Sequence, residues 1–172
     1  MRGTILLSHG SGSGPDAIKV GALAALAHSR GWHTERPDYR ADDALGYAGS
    51  VAPRLARLRA AIEACDAPPL LVGSSMGAFV SALASLEHPV CGLFLLATPE
   101  TVPGVDTALD LRQDVPTLLV HGWRDELCPL DDIYAFAGRR LLPLLVLDDD
   151  HRLGSSLALI ERQFAMFLDA LA

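Results

Sequence analysis

A hydroxyl nucleophile stands in the middle of a short segment whose residue types favour a sharp turn. Residues 73–77 read Gly-Ser-Ser-Met-Gly and fit the pattern Gly-x-Ser-x-Gly, with an apolar run before them and a helical pattern after them. In a strand–turn–helix of this kind the central serine, Ser75, takes a strained conformation that exposes its hydroxyl. The glycines leave room for a neighbouring strand and helix. The helix N-terminus directs N–H groups and positive potential at the serine, so negative charge on a substrate oxygen would be stabilised there.

Three further side chains that can take part in proton transfer lie elsewhere in the chain. His9, Asp125 and His151 each come shortly after a compact apolar run. An imidazole can take the proton of a serine hydroxyl and return one to a leaving group. A carboxylate can orient the imidazole and stabilise its cationic form. Without such partners, the segment around Ser75 would be only a small-residue turn that lets a helix pack against a sheet.

The composition describes a folded chain with an acidic balance. Of the 172 residues, 50% are hydrophobic and 20% are charged, which is typical of a globular protein. The formal net charge is −7, and no basic cluster occurs that could follow a phosphate backbone, so nucleic acid is not an expected partner. The apolar runs are too short to span a bilayer, and the N-terminal residues lack the length of a signal peptide.

Cysteine usage argues against a disulfide framework. Cys65, Cys91 and Cys128 are an odd number at unrelated spacings, and no Cys-x-x-Cys pair occurs. We therefore expect neither disulfides nor a zinc site, and a reducing cytoplasm is the simplest setting. Cys128 lies near Asp125 in sequence and could be a reactive thiol, although packing is the default role of a cysteine.

Strand-like and helix-like segments alternate along the chain. Compact apolar runs predict strands at residues 4–8, 70–74, 91–97, 117–121 and 144–147, and the more polar residues 33–38 are interpreted as a sixth, weaker strand. Helical spacing predicts helices at residues 16–28, 76–86, 130–139 and 155–171, and one built on Val51, Leu55, Leu58 and Ile62. Pro53 is expected in the first turn of that last helix, residues 40–50 are expected to be loop, and residues 98–115 form a polar segment with room for a short helix.

The alternation predicts a three-layer α/β/α sandwich. Nearly continuous apolar strands indicate burial on both faces, which is typical of a parallel sheet with helices on each side. Right-handed crossovers allow the strand order 2-1-3-4-5-6, with residues 33–38 near an edge because they are polar and contain Pro37. No linker marks a second domain, so residues 1–172 are expected to form one. Ligands of such sheets bind at the carboxyl ends of the strands, where the side chains singled out above fall.

Several segments together carry a resemblance to a known family. They are residues 8–14 (Ser-His-Gly-Ser-Gly-Ser-Gly), 73–77, 121–129 and Asp150-His151. On these segments the sequence resembles the α/β-hydrolase superfamily over nearly its whole length. Within that superfamily it is most similar in character to the small, capless serine hydrolases of the carboxylesterase-like and dienelactone-hydrolase-like branch. The chain departs from larger members in lacking their extra N-terminal strands and any insertion long enough to form a lid. The resemblance therefore implies a minimal sheet and an uncovered site.

The resemblance implies a role for each candidate site residue. Ser75 would attack a carbonyl carbon, His151 would act as general base and acid, and Asp125 would orient the imidazole. The backbone N–H groups of Met76 and Ser11 would form the oxyanion hole. The implied activity is cofactor-free hydrolysis of small carboxylic esters or related acyl bonds, with no metal ion and a small-molecule substrate as the partner.

Each assignment has a rival in the sequence. Glu126 competes with Asp125, which is preferred because its spacing from His121-Gly122 matches the family pattern. His151 could instead be a solvated surface histidine. His121 is expected to be packed and hydrogen-bonded, and His9 is expected to hold its loop in shape.

Two charged clusters are expected to be solvated. Residues 148–150 are three consecutive aspartates and read as an acidic turn. Arg54, Arg57 and Arg59 lie outside the apolar stripe of their helix and read as a solvated face, because the chain is acidic overall.

Three other functions remain open at this point. The same three side chains could pass an acyl group to an acceptor other than water. A flavodoxin-like module could cradle a phosphate on residues 10–14, although this loop fits neither phosphate-binding glycine pattern. A non-catalytic relative of the hydrolases could act through protein contacts. The sequence also leaves a homo-oligomer open.

Overall fold

A single parallel sheet forms the centre of the molecule. The computed structural model describes residues 2–171, and within them six parallel strands lie in the order β2-β1-β3-β4-β5-β6. The strands are β1 Thr4–Ser8, β2 His33–Glu35, β3 Leu70–Ser74, β4 Gly92–Leu96, β5 Thr117–Gly122 and β6 Leu144–Leu147. This confirms the predicted strand order and the edge position of the polar strand β2. That strand ends three residues earlier than predicted, before Pro37.

Helices cover both faces of the sheet. They are α1 Ile18–Ser29, α2 Arg40–Asp43, α3 Gly46–Glu63, α4 Met76–Glu87, α5 Leu130–Arg140 and α6 Leu157–Ala170. Successive strand side chains point to opposite faces. In β1, for example, Leu6 packs in the apolar cluster that includes residues of α3, α4 and α5, whereas Ile5 and Leu7 pack in the cluster that includes residues of α1 and α6. The resulting three-layer α/β/α sandwich is the predicted fold class.

The segment between β2 and β3 differs from the prediction. Residues 40–50 were expected to be loop, but they contain α2 and the first residues of α3, so Pro53 lies inside a helix rather than in its first turn. Helix α2 is tied to α3 by ion pairs from Asp43 to Arg54 at 2.7 Å and from Asp42 to Arg57 at 2.9 Å. These tertiary contacts stabilise a segment whose glycines and proline are poor helix formers.

The long segment between β4 and β5 is irregular. Residues 98–115 form turns, bends and irregular chain but no helix, so the short helix for which the sequence left room is absent there. Within residues 2–171, no helix has the length and apolar character needed to cross a membrane.

Candidate active site

Ser75 lies at the apex of the turn between β3 and α4. Its backbone has φ 55° and ψ −120°, and a positive φ is uncommon for a residue with a side chain. The Ser75 N–H donates to the carbonyl of Leu96 on the adjacent strand at 2.8 Å, which holds the apex in place. A Cβ on Gly73 would overlap the carbonyl of Gly77, and a Cβ on Gly77 would overlap the carbonyl of Ser8. The two glycines therefore permit the close packing that the turn requires.

Ser75, His151 and Asp125 form a continuous hydrogen-bonded chain. His151 Nε2 lies 3.0 Å from Ser75 Oγ, and His151 Nδ1 lies 2.7 Å from Asp125 Oδ2. An ionised carboxylate can only accept, so Nδ1 carries the proton and Nε2 is left to accept from the serine hydroxyl. The Asp125 side chain is 0% exposed and that of His151 is 17% exposed. The structure thus brings together three residues separated by up to 76 positions in sequence.

The loop after β5 fixes the carboxylate of Asp125. Asp125 Oδ1 accepts from the backbone N–H groups of Leu127 at 3.0 Å and Cys128 at 2.8 Å. Burial opposes ionisation of Asp125, but the hydrogen bonds from His151 and Cys128 outweigh it and hold the pKa of this carboxyl below its usual range. Glu126, the rival in the sequence, is exposed, and His151 bonds to Asp125 and not to Glu126.

A second histidine contacts Asp125 from the other side. His121 Nε2 donates to the carbonyl of Cys128 at 2.7 Å and lies 3.3 Å from Asp125 Oδ2. The ring is buried, and burial lowers the pKa of His121. His121 is thus a packed, hydrogen-bonded histidine, as its place at the end of an apolar strand predicts.

Cys128 lies beside the same carboxylate but its thiol is inactive as a nucleophile at neutral pH. Burial and the negative charges of Asp125 and Asp132 raise the pKa of Cys128 to about 12. Asp125, Cys128 and His151 place one potential metal-ligand atom each within 4.8 Å of one another. Asp125 and His151 are already hydrogen-bonded to each other, and the thiol of Cys128 keeps its proton. The donor set therefore suits proton transfer better than coordination of a metal ion.

The acidic turn after β6 is only partly solvated. Asp148 and Asp150 are exposed, but Asp149 is buried, which corrects the expectation for residues 148–150. The carboxylate of Asp149 accepts from the backbone N–H groups of Asp150 and Ser156, both at 2.8 Å. Asp149 thus anchors the turn that carries His151, and the aspartate triplet alone gave no sign of which member would do so.

The loop after β1 lies directly against Ser75. A Cβ on Gly10 would be 3.4 Å from the Cβ of Ser75. The backbone N–H groups of Ser11 and Met76 have no hydrogen-bond acceptor among residues 2–171, and both residues line the same cavity as Ser75. Two unpaired N–H groups beside a nucleophile are what an oxyanion hole requires.

His9 shapes this loop from within. Its Nε2 accepts from the backbone N–H of Tyr39 at 3.0 Å, so Nδ1 carries the proton and donates to the carbonyl of Gly10 at 2.8 Å. Burial lowers the pKa of His9. Both ring nitrogens are engaged with backbone, which agrees with the structural role expected of His9.

Arg54 was expected on a solvated helix face, and this is wrong. Its side chain is 0% exposed and forms a two-pronged ion pair with Asp43, with both N–O distances at 2.7 Å. The same guanidinium donates to the carbonyls of His9 at 2.7 Å and Gly10 at 3.2 Å, while Asp43 accepts from the N–H of Gly12 at 3.3 Å. A buried arginine with five donors can hold several carbonyls at once, so Arg54 and Asp43 clamp the loop from below.

This clamp also sets the direction of the Ser11 N–H. In a trans peptide the carbonyl of one residue and the N–H of the next point in opposite directions. The Gly10 carbonyl accepts from Arg54, from His9 and from the Ser13 hydroxyl at 2.9 Å. Because that carbonyl is held on one side, the N–H of Ser11 is held on the other. Sequence reasoning missed this network because Asp43 lies in a segment interpreted as loop.

A cavity of about 710 Å³ opens above Ser75 and His151. It is bounded by the loop after β1, the start of α1 and the segment after β4, and much of its lining is apolar, including Val20, Val102 and Leu157. This volume is in the range of small-molecule sites.

Comparison with known proteins identifies the class of fold. The model of the alpha/beta hydrolase family matches residues 5–171. A protein of the alpha/beta hydrolase superfamily from Xanthomonas campestris pv. campestris shares 43% identity with this chain, over 98% of this chain and 99% of that one, with a TM-score of 0.93. The chain therefore belongs to the alpha/beta hydrolase family.

More distant structures share the fold. A homologue of alpha-beta serine hydrolases from Coxiella burnetii is 23% identical over 98% of this chain and 86% of that chain, with a TM-score of 0.76. A serine hydrolase without a lid from Xanthomonas campestris is 16% identical over 94% and 79%, with a TM-score of 0.73. No curated protein sequence gives a significant match. Family membership confirms the predicted hydrolase fold and sets aside the flavodoxin-like alternative.

Proposed function

We propose that this member of the alpha/beta hydrolase family is a serine hydrolase that cleaves small carboxylic esters or related acyl bonds through an acyl-enzyme on Ser75. The observation that carries the proposal is the pair of distances around His151, 3.0 Å to Ser75 Oγ and 2.7 Å to Asp125 Oδ2. These are hydrogen-bond distances in the direction needed to move a proton from serine to imidazole.

In the first half of the reaction, Ser75 Oγ attacks the carbonyl carbon while His151 Nε2 takes the hydroxyl proton. The imidazolium that forms is stabilised by the ionised Asp125, whose pKa is held low by its hydrogen bonds. The C–O bond to the alcohol then breaks, and His151 gives its proton to the departing oxygen. The acyl group remains on Ser75.

In the second half, water attacks the acyl carbon. His151 Nε2 takes one proton from this water and then returns it to Ser75 Oγ as the acyl bond breaks, which releases the acid and restores the starting state. In both halves the oxyanion accepts hydrogen bonds from the N–H groups of Ser11 and Met76. Removing one such donor costs about 3 kcal/mol of transition-state stabilisation in comparable sites.

The direct test compares the wild-type protein with the Ser75→Ala variant. We expect the wild type to hydrolyse 4-nitrophenyl butyrate and to be labelled by a fluorophosphonate probe on Ser75. The variant should lose both properties while it keeps its circular dichroism spectrum and melting temperature. Ser74→Ala is the matched control, because this hydroxyl precedes the apex of the turn. A folded wild type with neither hydrolysis nor label would overturn the proposal and favour a non-catalytic relative.

Transfer of the acyl group to an alcohol or thiol is the second reading of the same residues. The acyl-enzyme and its partners are common to both reactions, and only the acceptor differs. Products formed from 4-nitrophenyl butyrate with added alcohol or thiol separate the two: acid as the main product supports hydrolysis, whereas a new ester or thioester supports transfer.

The proposal includes the setting of the enzyme. We place the catalytic unit in one domain over residues 1–172, acting without cofactor or metal ion. Cys65, Cys91 and Cys128 are all free thiols, which supports a reducing, cytoplasmic setting. Size-exclusion chromatography with light scattering would decide between a monomer and a homo-oligomer.

A further inference from the structure

The cavity above Ser75 contains a residue that the proposed mechanism does not use. Lys19, in the first turn of α1, lines this cavity together with Ser75 and His151. It is the only lysine of the sequence, since thirteen of the 14 Lys and Arg residues are arginine. The cations of this chain that form ion pairs with carboxylates are mostly arginines, so Lys19 differs from them both in residue type and in its position in the cavity.

Lys19 has no counter-ion within the part of the chain that the structure describes. Among residues 2–171 its ammonium group forms no hydrogen bond and no ion pair, and its electrostatic attraction comes only from Asp125, Asp149 and Asp150 at longer range. Asp125 is bound to His151, and Asp149 to the backbone of Asp150 and Ser156.

The other nearby carboxylates are also engaged. Asp150 accepts from the backbone N–H of Arg152 at 2.8 Å. Asp16, three residues before Lys19, is exposed and lies 3.5 Å from Arg36. None of these carboxylates forms an ion pair with the ammonium group of Lys19.

The lining of the cavity has the opposite charge to the protein. The formal net charge of the chain is −7, yet the cavity lining includes no aspartate or glutamate. Its cationic side chains at neutral pH are Lys19, which is partly buried, and Arg152, which is exposed beside His151. A cleft with charge of one sign and apolar walls concentrates ligands of the other sign.

Burial of Lys19 has a physical cost. It lowers the pKa of Lys19 to about 8, because the charged form loses part of its hydration. An anionic group that entered the cavity would offset this loss by forming a charge-assisted hydrogen bond in a partly dehydrated site. Below pH 8 the ammonium form still predominates, so the cation is present at neutral pH.

We propose that Lys19 binds a carboxylate of the substrate, so that the preferred substrates are esters that carry a second, anionic group. The apolar walls would receive the hydrocarbon part between the ester and the carboxylate. This inference rests on the proposed function, since it assigns a substrate class to the same site.

The test uses matched pairs of esters that differ in one charge. The first pair carries the charge on the acyl side: mono-4-nitrophenyl glutarate and 4-nitrophenyl pentanoate. The second pair carries it on the alcohol side: 4-acetoxybenzoate and its methyl ester. For each pair the measured quantity is the ratio of kcat/KM for the anionic ester to kcat/KM for the neutral one.

In the wild type we expect the ratio to exceed one for at least one pair, which identifies the side of the ester that bears the anion. Lys19→Met should lower that ratio by about 10- to 100-fold, mainly through KM, and Lys19→Arg should restore most of it. Arg162→Met is the matched control, because it removes one positive charge from an exposed site on α6 outside the cavity. It should leave the ratio unchanged.

A second measurement does not depend on a variant. Reductive methylation of the wild type should modify Lys19 as the only lysine, and saturating glutarate should slow this modification about tenfold, whereas neutral glutaramide should not. Mass spectrometry of the peptide that contains Lys19 gives the rate.

Three results would overturn the inference. They are a wild-type ratio at or below one for both pairs, a Lys19→Met variant that loses activity equally on charged and neutral esters, and a methylation rate that glutarate does not change. None of these affects the proposed function, which fails separately if Ser75→Ala hydrolyses the neutral esters as fast as the wild type.

Discussion

Two histidines contact the same carboxylate, yet their surroundings differ. His151 lies 2.7 Å and His121 lies 3.3 Å from Asp125 Oδ2. The second nitrogen of His151 meets the hydroxyl of Ser75, and its ring borders the cavity. The same Nε2 of His121 that faces Asp125 donates to the carbonyl of Cys128, and its Nδ1 is buried without a hydrogen-bond partner among residues 2–171. One imidazole thus joins the carboxylate to a nucleophile, and the other joins it to backbone.

The position of a histidine after a strand therefore does not define its role. His9, His121 and His151 all lie at carboxyl ends of strands in this sheet. His9 and His121 bind backbone groups, and burial lowers their pKa. Of these three, only His151 contacts the hydroxyl of Ser75, and we therefore assign proton transfer to it.

The same substitution at the two histidines should separate them most strongly. His151→Gln is expected to lower kcat for 4-nitrophenyl butyrate by about 10⁴-fold or more, because glutamine cannot take the serine proton. His121→Gln should lower kcat by less than about tenfold, because the amide can still donate to the Cys128 carbonyl. Steady-state kinetics on both folded variants gives the comparison. Equal losses would contradict the separate roles.

Removing the charge that both histidines share is expected to have the next largest effect. Asp125→Asn should lower kcat by about 10³- to 10⁴-fold, because the imidazolium loses its counter-ion and the tautomer of His151 is no longer fixed. Glu126→Gln is the matched control, since Glu126 is exposed on the same loop. The initial rate of hydrolysis by Glu126→Gln should be close to that of the wild type. A large loss in Glu126→Gln with a small loss in Asp125→Asn would reverse the assignment.

The clamp beneath the loop after β1 predicts a smaller loss of rate. Arg54→Met frees the carbonyls of His9 and Gly10, so the Ser11 N–H is held less firmly, and kcat should fall by about 10- to 100-fold with little change in KM. Stability should fall by about 3–5 kcal/mol, because Asp43 keeps a mostly buried charge without its partner. Urea unfolding and steady-state kinetics measure the two effects.

Arg57→Met provides the control for this clamp. Arg57 pairs with Asp42 on the same two helices but contacts no carbonyl of the loop. The Arg57 side chain is 47% exposed but the carboxylate of Asp42 is buried, so Arg57→Met should also lower stability by leaving that charge unpaired. Because no carbonyl of the loop is freed, kcat should stay within about threefold of wild type. If Arg57→Met slowed the enzyme as much as Arg54→Met, the effect would come from helix packing and not from the loop carbonyls.

The smallest expected effect concerns stability in acid. Burial lowers the pKa of His121 and of His9 below 6.5, so between that value and the lowered pKa the unfolded chain binds more protons than the folded one. Stability should therefore fall as the pH is lowered from about 6.5. His121→Gln should weaken this dependence, as seen by melting temperatures at pH 7.5 and 5.5. An unchanged dependence would mean that His121 takes up its proton without loss of stability.

Much of the fold could be predicted because it follows from local pattern. The strands read as apolar runs, since a parallel sheet buries both faces, and Leu70–Ser74 has the bounds expected of it. The position of Ser75 at the apex of a turn was predicted from the local sequence, because Gly73 and Gly77 permit the close packing that this turn requires.

What the sequence did not show depends on contacts between distant segments. Arg54 falls outside the apolar stripe of α3, so helical spacing predicts exposure, and only Asp43 and the loop carbonyls explain its burial. The choice of Asp149 as the buried aspartate likewise depends on the backbone N–H of Ser156. Lys19 carries no local signal either, because its significance comes from the cavity that α1 helps to form.

The most direct test of the account is to trap the acyl group. The wild type is mixed with 4-nitrophenyl butyrate, quenched in acid within the first turnovers, digested and examined by mass spectrometry. We predict one butyryl group on the peptide that contains Ser75, located on Ser75 itself, and none in Ser75→Ala. Turnover of the ester with the acyl group on another residue, or undiminished turnover in Ser75→Ala, would contradict the account.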